Sequence, residues 1–458
     1  MQHETSYTLS PYIHIFLKDG IFCYYHSITS KTIYLTQEQH NLLENDLCNN
    51  GLGQKDNLLK TFIKNDFIHT KDKHEENLLD GIKKNIPKPQ ITISYFILTE
   101  ACNLACSYCF LGNGDLSKNN CNKALDFETA EKSLIFFIKQ SILSGVNNQT
   151  RREIIFYGGE PLLNFKTLQR TVQLYKQFRN TNFCPFEISF SVVTNGTLIT
   201  PEIAKFFADN KINISISLDG PTFFANQNRI FRSSTNPAFY KILDGIDLLK
   251  KYNCIFGLSM TLTENALKTS PEELLLFFEE KKINAVSFNT LICDKMIKQN
   301  TYYENAAEYI INFWKKARIL GIVEDRISRK IKAFATRQFL YADCAAVAGG
   351  QICFYPNGDI RICHGCKKGE QNTSWNVFTV PDKINLNNSR EIQDWTNNSP
   401  IFYHKCINCY AISVCGGGCI INKKANLEDM NIDFGFCIQT KKILEFLIWD
   451  LYEKMTRS

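Results

Sequence analysis

Apolar and polar positions change their rhythm twice along this chain. In the first 70 residues, short alternating or continuous apolar runs at 12–17, 21–25 and 32–35 predict three strands. Lys18-Asp19-Gly20 between the first two is a hairpin signal. Thr36 followed by Gln39 has the spacing of a capping box and predicts a helix over 37–47. A second helix is predicted over 56–64, with 67–69 returning as an edge strand. Residues 70–90 are rich in lysine and glutamate, end at Pro87-Lys88-Pro89, and predict a linker.

From residue 91 strand and helix periods alternate. Strands are predicted at 91–98, 153–157, 187–193, 214–218, 255–262 and 285–288. Helices are predicted at 128–143, 165–178, from Pro201, at 238–252, from Pro271, and at 302–320. Six strand–helix units in a row predict a parallel sheet with right-handed crossovers, an α/β fold. The ends of such strands carry Cys102, Cys106 and Cys109, then Gly158-Gly159-Glu160-Pro161, Asn195-Gly196 and Ser217-Leu218-Asp219-Gly220. Chemistry in such folds sits on the loops that follow the strands. The closing residues 441–458 carry Ile443, Leu444, Leu447, Ile448 and Leu451 at helical spacing, so a final amphipathic helix is expected to pack back on the barrel.

Bulk properties narrow the class. A length of 458 residues suits about three domains. A net charge of +6 demands no nucleic acid. No apolar run reaches the ~18 residues of a membrane span, and residues 1–6 lack the pattern of a signal peptide. The expectation is a cytoplasmic protein without membrane or nucleic-acid partners. Eighteen cysteines change the picture more. In a reducing compartment they point to metal or redox chemistry and not to disulfides. Three sit in the loop after the first barrel strand. Eight more form a second group: Cys344, Cys353, Cys363, Cys406, Cys409, Cys415, Cys419 and Cys437. Cys23, Cys48, Cys121, Cys184, Cys254, Cys293 and Cys366 are scattered and read as small hydrophobes. A structural zinc takes four ligands, whereas eight thiolates make two [4Fe-4S] cubes and three leave one iron of a cube open.

The Cys102-x3-Cys106-x2-Cys109 loop with Gly158-Gly159-Glu160-Pro161 resembles the radical S-adenosylmethionine (SAM) enzymes. The cysteine spacing from Cys344 to Cys437 resembles their C-terminal SPASM domain. That resemblance implies a partial (β/α)6 TIM-like barrel over 91–325, a SPASM domain over 326–440 and the C-terminal helix over 441–458. Residues 1–86 resemble the small winged-helix modules that hold leader peptides. The implied cofactors are SAM and three [4Fe-4S] clusters. Cys102, Cys106 and Cys109 would hold the first, whose open iron chelates SAM and yields a 5′-deoxyadenosyl radical. Cys406, Cys409, Cys415 and Cys437 would hold the outer auxiliary cluster. Cys344, Cys363 and Cys419 would hold the inner one, with Cys353 as fourth ligand. If Cys353 turns away, an iron is left for a substrate thiolate. A two-residue Asn357-Gly358 turn would put Cys353 and Cys363 on opposite faces. The resemblance also implies SAM contacts at Tyr108, Gly158, Gly159, Glu160, Pro161, Asn195 and Ser217. Asp219, facing the pocket, is the candidate base.

The expected function is maturation of a ribosomally made precursor peptide by an intrapeptide thioether or carbon–carbon cross-link. Its partners would be the leader-bearing peptide and an external electron donor of the flavodoxin or ferredoxin type. The first alternative is an anaerobic sulfatase-maturating enzyme. That group carries an aspartate after the inner-cluster cysteine, where this chain has His364. The second is a noncatalytic iron–sulfur protein that binds peptide or ferries electrons.

Overall fold

The computed structural model describes residues 7–48, 57–70, 76–112, 123–292, 301–365, 375–381, 383–425 and 432–457. The N-terminal unit consists of β1 (Tyr7–Leu9), β2 (Ile13–Lys18), β3 (Ile21–His26), β4 (Thr32–Thr36), α1 (Gln37–Cys48), α2 (Asn57–Lys64) and β5 (Ile68–Thr70). Strands β2, β3 and β4 form an antiparallel sheet, while β5 pairs with β1. The capping box at the head of α1 is present: the Gln39 amide donates to Thr36 Oγ1 (3.3 Å), and the Thr36 amide donates to Gln39 Oε1 (3.0 Å). One sheet face buries Tyr24 and Leu35 against Leu43, Leu59 and Phe62 of the helices. The other face docks on the main body, where the Tyr34 hydroxyl donates to Ile448 O (2.6 Å) and the Tyr25 hydroxyl lies 3.1 Å from Ser413 Oγ.

The expected linker contains a helix, α3 (Glu76–Lys84). Leu78, Leu79 and Ile82 lie on one side of it and pack against Tyr12, Ile28 and Ile412. Two leucines and an isoleucine spaced one and three apart suffice for an amphipathic stripe that the surrounding charges conceal.

The main body alternates β6 (Ile93–Thr99), α4 (Phe127–Leu143), β7 (Arg152–Gly158), α5 (Phe165–Asn180), β8 (Ile188–Thr194), α6 (Pro201–Asp209), β9 (Asn213–Ser217), α7 (Phe239–Lys251), β10 (Phe256–Thr261), α8 (Pro271–Lys281), β11 (Ala285–Asn289) and α9 (Tyr302–Ala317). After it come β12 (Val323–Glu324), α10 (Asp325–Thr336), β13 (Gln351–Phe354), β14 (Ile360–Arg361), α11 (Arg390–Thr396), α12 (His404–Ile407), α13 (Ile412–Cys415), α14 (Ile420–Ala425) and α15 (Phe434–Arg457). The sheet order is β12-β11-β10-β9-β8-β7-β6-β13-β14, and every pairing but β13–β14 is parallel. The six predicted strands are thus extended at both edges. β13 joins β6, so the sheet runs through the boundary expected at residue 326. The C-terminal helix starts at Phe434, not 441, and carries Cys437 in its first turn.

The alternation along these strands sets where a substrate can go. Phe96, Ile154, Phe156, Phe190, Val192, Ile214, Ile216, Leu258, Met260, Val286 and Phe288 are buried in one core with the helices. The opposite face presents Glu153, Ser189, Ser191, Ser215, Ser217, Ser259, Thr261, Ser287 and Asn289, all only partly buried. Side chains alternate between faces along a strand. The helices therefore cover the apolar outer face, while the partly exposed inner face carries Tyr95, Ile155 and Tyr157 on β6 and β7 and is mostly polar from β8 to β11.

Candidate active site

Strand β6 ends at Thr99 and delivers the three-cysteine loop at the C-terminal edge of the sheet. Two glycines at the end of β7 hold that loop by backbone alone. The Gly159 amide donates to Thr99 O and the Glu160 amide to Ala101 O, both at 2.8 Å. A Cβ on Gly158 would lie 2.2 Å from Thr99 O, and one on Gly159 2.2 Å from Ala101 O. Gly158 also has φ +139°, where only glycine is at ease. Gly159→Ala is expected to push the loop away and cost about 1–3 kcal/mol of stability, the usual range for overpacking. An unchanged denaturation midpoint would show that the loop yields freely.

Loop thiols gather where these glycines place them. Burial pushes Cys102 up to about 12, with Glu160 and then Cys106 and Cys109 adding to it. Cys106 is pushed up to about 11, by burial first and also by Asp219 and Cys109, against Arg229. The Leu104 amide donates to Cys102 Sγ (3.4 Å), and Asn195 Nδ2 reaches the same sulfur at 3.9 Å. Thiols so disfavoured as anions call for a metal charge to ionise them. N–H groups aimed at sulfur suit a cluster. Among the described residues no group of three His, Cys, Asp or Glu side chains is arranged around a single metal ion. A cube takes one thiolate per iron, so its ligands stand further apart than those of one ion. The loop fits a cube.

The residues around it tie strand ends together. Glu160 is fully buried. Its Oε1 accepts from the Leu162 amide (3.0 Å) and Thr194 Oγ1 (2.6 Å), and its Oε2 accepts from the Asn195 amide (2.8 Å). Three of about four acceptor sites are thus taken by the protein, and one remains for a ligand N–H. Pro161 opens the short helical turn that Glu160 caps. Asn195 Nδ2 donates to Asn103 Oδ1 (2.9 Å), and its Oδ1 accepts from Thr197. Ser217 ends β9 on the polar inner face.

Burial raises Glu160 to about 7, against three hydrogen bonds that lower it. The folded chain keeps this proton to about 7, while the unfolded chain loses it near 4.5. The associated stability is full below pH 4.5 and is lost as pH rises toward 7. Glu160→Gln should flatten that portion of the stability–pH curve. Equal wild-type and variant slopes between pH 4.5 and 7 in urea titrations would refute the assignment.

Asp219 does not match its expected role as a base. It is fully buried. Arg229 grips it with two N–H groups, Nε to Oδ2 (3.0 Å) and Nη2 to Oδ1 (2.7 Å). The Thr261 amide donates to Oδ1 (3.0 Å), and the Tyr108 hydroxyl donates to Oδ2. Both oxygens bind the guanidinium and each accepts a second hydrogen bond, so no lone pair of the carboxylate is left open to a substrate. It anchors Tyr108, the aromatic of the cysteine loop. Arg229 closes the clamp, 5.4 Å from the Tyr108 ring centroid. Sequence inspection missed Arg229 because it stands ten residues beyond Asp219 in a segment with no motif.

Electrostatic neighbours link members of the second cysteine group. Burial raises Cys415 to about 12, with Cys409 and Cys406 adding and Lys330 opposing. Cys437 is raised by burial and by Cys415, Cys406 and Cys409. Those four therefore share one nest. Cys419 is pushed up to about 11 by burial, with Asp433 and then Cys344 adding, so Cys344 and Cys419 are neighbours. The Tyr95 hydroxyl is raised by burial, then by Cys353, Tyr157 and Cys344, which puts Cys353 in the same neighbourhood.

The hairpin corrects one expectation. Its loop has three residues, Pro356-Asn357-Gly358, with Gly358 at φ +82° and its amide donating to Tyr355 O (2.9 Å). The extra residue shifts the register by one and pairs Cys353 with Arg361. Cys353 and Cys363 are then no longer forced to opposite faces. Cys353 is fully buried beside Tyr95 of β6, its Sγ 3.7 Å from Ile362 O.

His364 is not a loose loop residue. Its ring stacks on Tyr95 (4.3 Å between centroids) and meets Tyr157 edge-on (4.7 Å), with Phe110 of the cysteine loop at 6.1 Å. Burial lowers it to about 4, so it is neutral at physiological pH. Tyr157 itself is raised by burial, then by Cys109 and Cys363. These aromatics therefore bridge the first cysteine loop and the second group.

Residues 96–286 match the radical SAM superfamily. The chain is 24% identical over 403 residues to the radical SAM cyclopropyl synthase TigE of Paramaledivibacter caminithermalis, across 83% of this chain and 78% of that protein. It is 23% identical over 376 residues to a cysteine-type anaerobic sulfatase-maturating enzyme of Clostridium perfringens, across 77% of this chain and 95% of that protein. Among solved structures, native anSMEcpe with bound AdoMet and Cp18Cys peptide superposes with a TM-score of 0.65 at 20% identity, covering 80% of this chain and 99% of that one. At that identity the likeness establishes the fold. No helix among the described residues is long and apolar enough to cross a membrane.

Proposed function

This chain is a radical SAM enzyme, and from that premise we propose that it matures a ribosomally made precursor peptide by installing an intrapeptide thioether or carbon–carbon cross-link. The observation that carries the reading is the partly exposed inner face of the barrel, mostly polar from β8 to β11, overlooked by the three-cysteine loop at one end of the strands. Serine, threonine and asparagine positions there can hydrogen-bond an extended peptide backbone. When bound, a cube on Cys102, Cys106 and Cys109 supplies the electron that cleaves SAM, whose adenosyl group takes one hydrogen from the substrate. Glu160 offers its remaining acceptor site to the methionine end of SAM, and Asn195 holds the loop against it. Tyr108, fixed by Asp219, lies on the adenine side. Cys344, Cys353, Cys363 and Cys419 would hold an inner cluster, and Cys406, Cys409, Cys415 and Cys437 an outer one, for three cubes with the first. Clusters held there would supply an acceptor for the second electron, and the expected external reductant is a flavodoxin- or ferredoxin-type donor.

The N-terminal unit supplies leader binding. β2 is an edge of its sheet, and Ile15 and Leu17 on it are 44% and 62% exposed. An extended leader can add to that edge through main-chain hydrogen bonds and lay apolar side chains on these two. TigE, whose similarity covers 83% of this chain, is named for an installed ring.

A second reading, sulfatase maturation, is favoured by the 95% coverage of the Clostridium perfringens enzyme. Against it stands His364, neutral and ring-stacked where that group is expected to have a carboxylate. The deciding experiment is anaerobic reconstitution, then reaction with SAM and reductant plus either the short peptide encoded beside this gene or a cysteine-containing sulfatase peptide. A loss of ~2 Da from the precursor peptide, with no change in the sulfatase peptide, supports cross-linking. Formylglycine in the sulfatase peptide would replace it with the second reading.

A further inference from the structure

Two buried ammonium groups face the four-cysteine nest, and none of the roles above uses them. Lys330 on α10 is 1% exposed, and Lys423 on α14 is 2% exposed. Lys330 Nζ makes no hydrogen bond among the described residues. The carboxylate oxygen facing it, Asp343 Oδ1, stands off at 3.8 Å. Arg329 at 3.3 Å and Arg326 at 3.7 Å meet the other oxygen of Asp343, Oδ2. Nζ instead lies 4.2 Å from the ring centroid of Phe436, the neighbour of Cys437. Lys423 gives one hydrogen bond, to Asn398 O (3.1 Å), and lies 4.6 Å from the Tyr403 ring centroid. Asp343 and then Cys415 act on Lys330; Cys415, Cys406, Asp433 and Cys437 act on Lys423.

A buried ammonium is costly unless something anionic meets it. Asp343 and Asp433 offset part of that cost, and two ammonium groups beside one nest of four thiols suit a further anion held there. A cube bound by four thiolates carries net negative charge, and its sulfurs accept hydrogen bonds. We propose that Lys330 and Lys423 are the charge partners of an iron–sulfur cluster held by Cys406, Cys409, Cys415 and Cys437, and that they raise its reduction potential so that it serves as the electron acceptor. This rests on the reading that those four cysteines hold a cluster. Each lysine stabilises the reduced cube more than the oxidised one, because the reduced cube carries one more negative charge.

The test is a redox titration followed by electron paramagnetic resonance on the reconstituted full chain, with iron and sulfide counted for every sample. The outer cluster's signal is the one lost in Cys415→Ala. Lys330→Met and Lys423→Met keep length and remove charge. Each is expected to lower that cluster's reduced-to-oxidised ratio at fixed potential by about tenfold, or about 59 mV for a one-electron couple. Lys330→Arg should stay near wild type. Loss of iron from a folded Lys330→Met protein would equally support the partnership. Full iron with unmoved midpoints in both methionine variants would overturn it, and Lys423→Met keeps the test decisive if Lys330→Met fails to fold. Undiminished iron in Cys415→Ala would instead overturn the underlying cluster assignment.

Discussion

Cys106→Ala is expected to yield a folded protein that holds about four fewer irons than wild type and cleaves no SAM above background. The loop around Cys106 is set by backbone and not by its thiol. The Ala105 amide donates to Ile230 O (2.9 Å), the Ser107 amide to Asn228 O (3.2 Å), and the Cys109 amide to Cys106 O (3.0 Å). The variant therefore loses a ligand while the scaffold stays. Two thiolates cannot hold a cube, so no open iron is left to bind SAM. Cys415→Ala makes the contrast: it too should lose about four irons but keep SAM cleavage, now uncoupled from peptide product. Iron assay and chromatography of 5′-deoxyadenosine measure both. A Cys106→Ala protein that still forms 5′-deoxyadenosine would remove the first cluster from this loop.

The strand–helix alternation was legible because strands β7 to β11 bury one face only, so Ile154-x-Phe156 and Ile214-x-Ile216 print their period plainly. The cysteines expected to hold clusters stood out because spacing is local. What depends on register was not legible. The third residue in the Tyr355–Asp359 turn leaves no signal beyond the Asn-Gly pair that also suits a two-residue turn, yet it decides where Cys353 points. Glu160 looked like a free ligand acceptor, but the donors that occupy it, Thr194 and Asn195, come from the next strand. The packing of His364 left no local signal because Tyr95 and Tyr157, which its ring contacts, lie more than 200 positions away. Lys330 and Lys423 resembled the surface lysines around them. Their burial comes from packing between α10, α14 and the cysteine nest.

The Asp219–Arg229 clamp carries the other large expected effect. Both side chains are buried, at 0% and 7% side-chain exposure. Removing one partner leaves the other charge uncompensated, so Arg229→Met and Asp219→Leu should each cost about 3–5 kcal/mol. Replacing both with apolar groups should recover much of that, less about 1–3 kcal/mol for the Thr261 amide left without its acceptor. Stability and function then separate. Asp219→Leu and the double variant free the Tyr108 hydroxyl, so in those two the aromatic of the cysteine loop loses the contact that fixes its ring. SAM affinity is expected to stay about tenfold or more below wild type in the double variant, a loss of about 1.4 kcal/mol, even where its denaturation midpoint recovers. Urea titration gives the first quantity and calorimetric SAM binding to the reconstituted protein gives the second. If SAM affinity returned together with stability, the clamp would serve folding alone. If the single variants were as stable as wild type, Arg229 and Asp219 would not be the buried pair on which the position of Tyr108 depends.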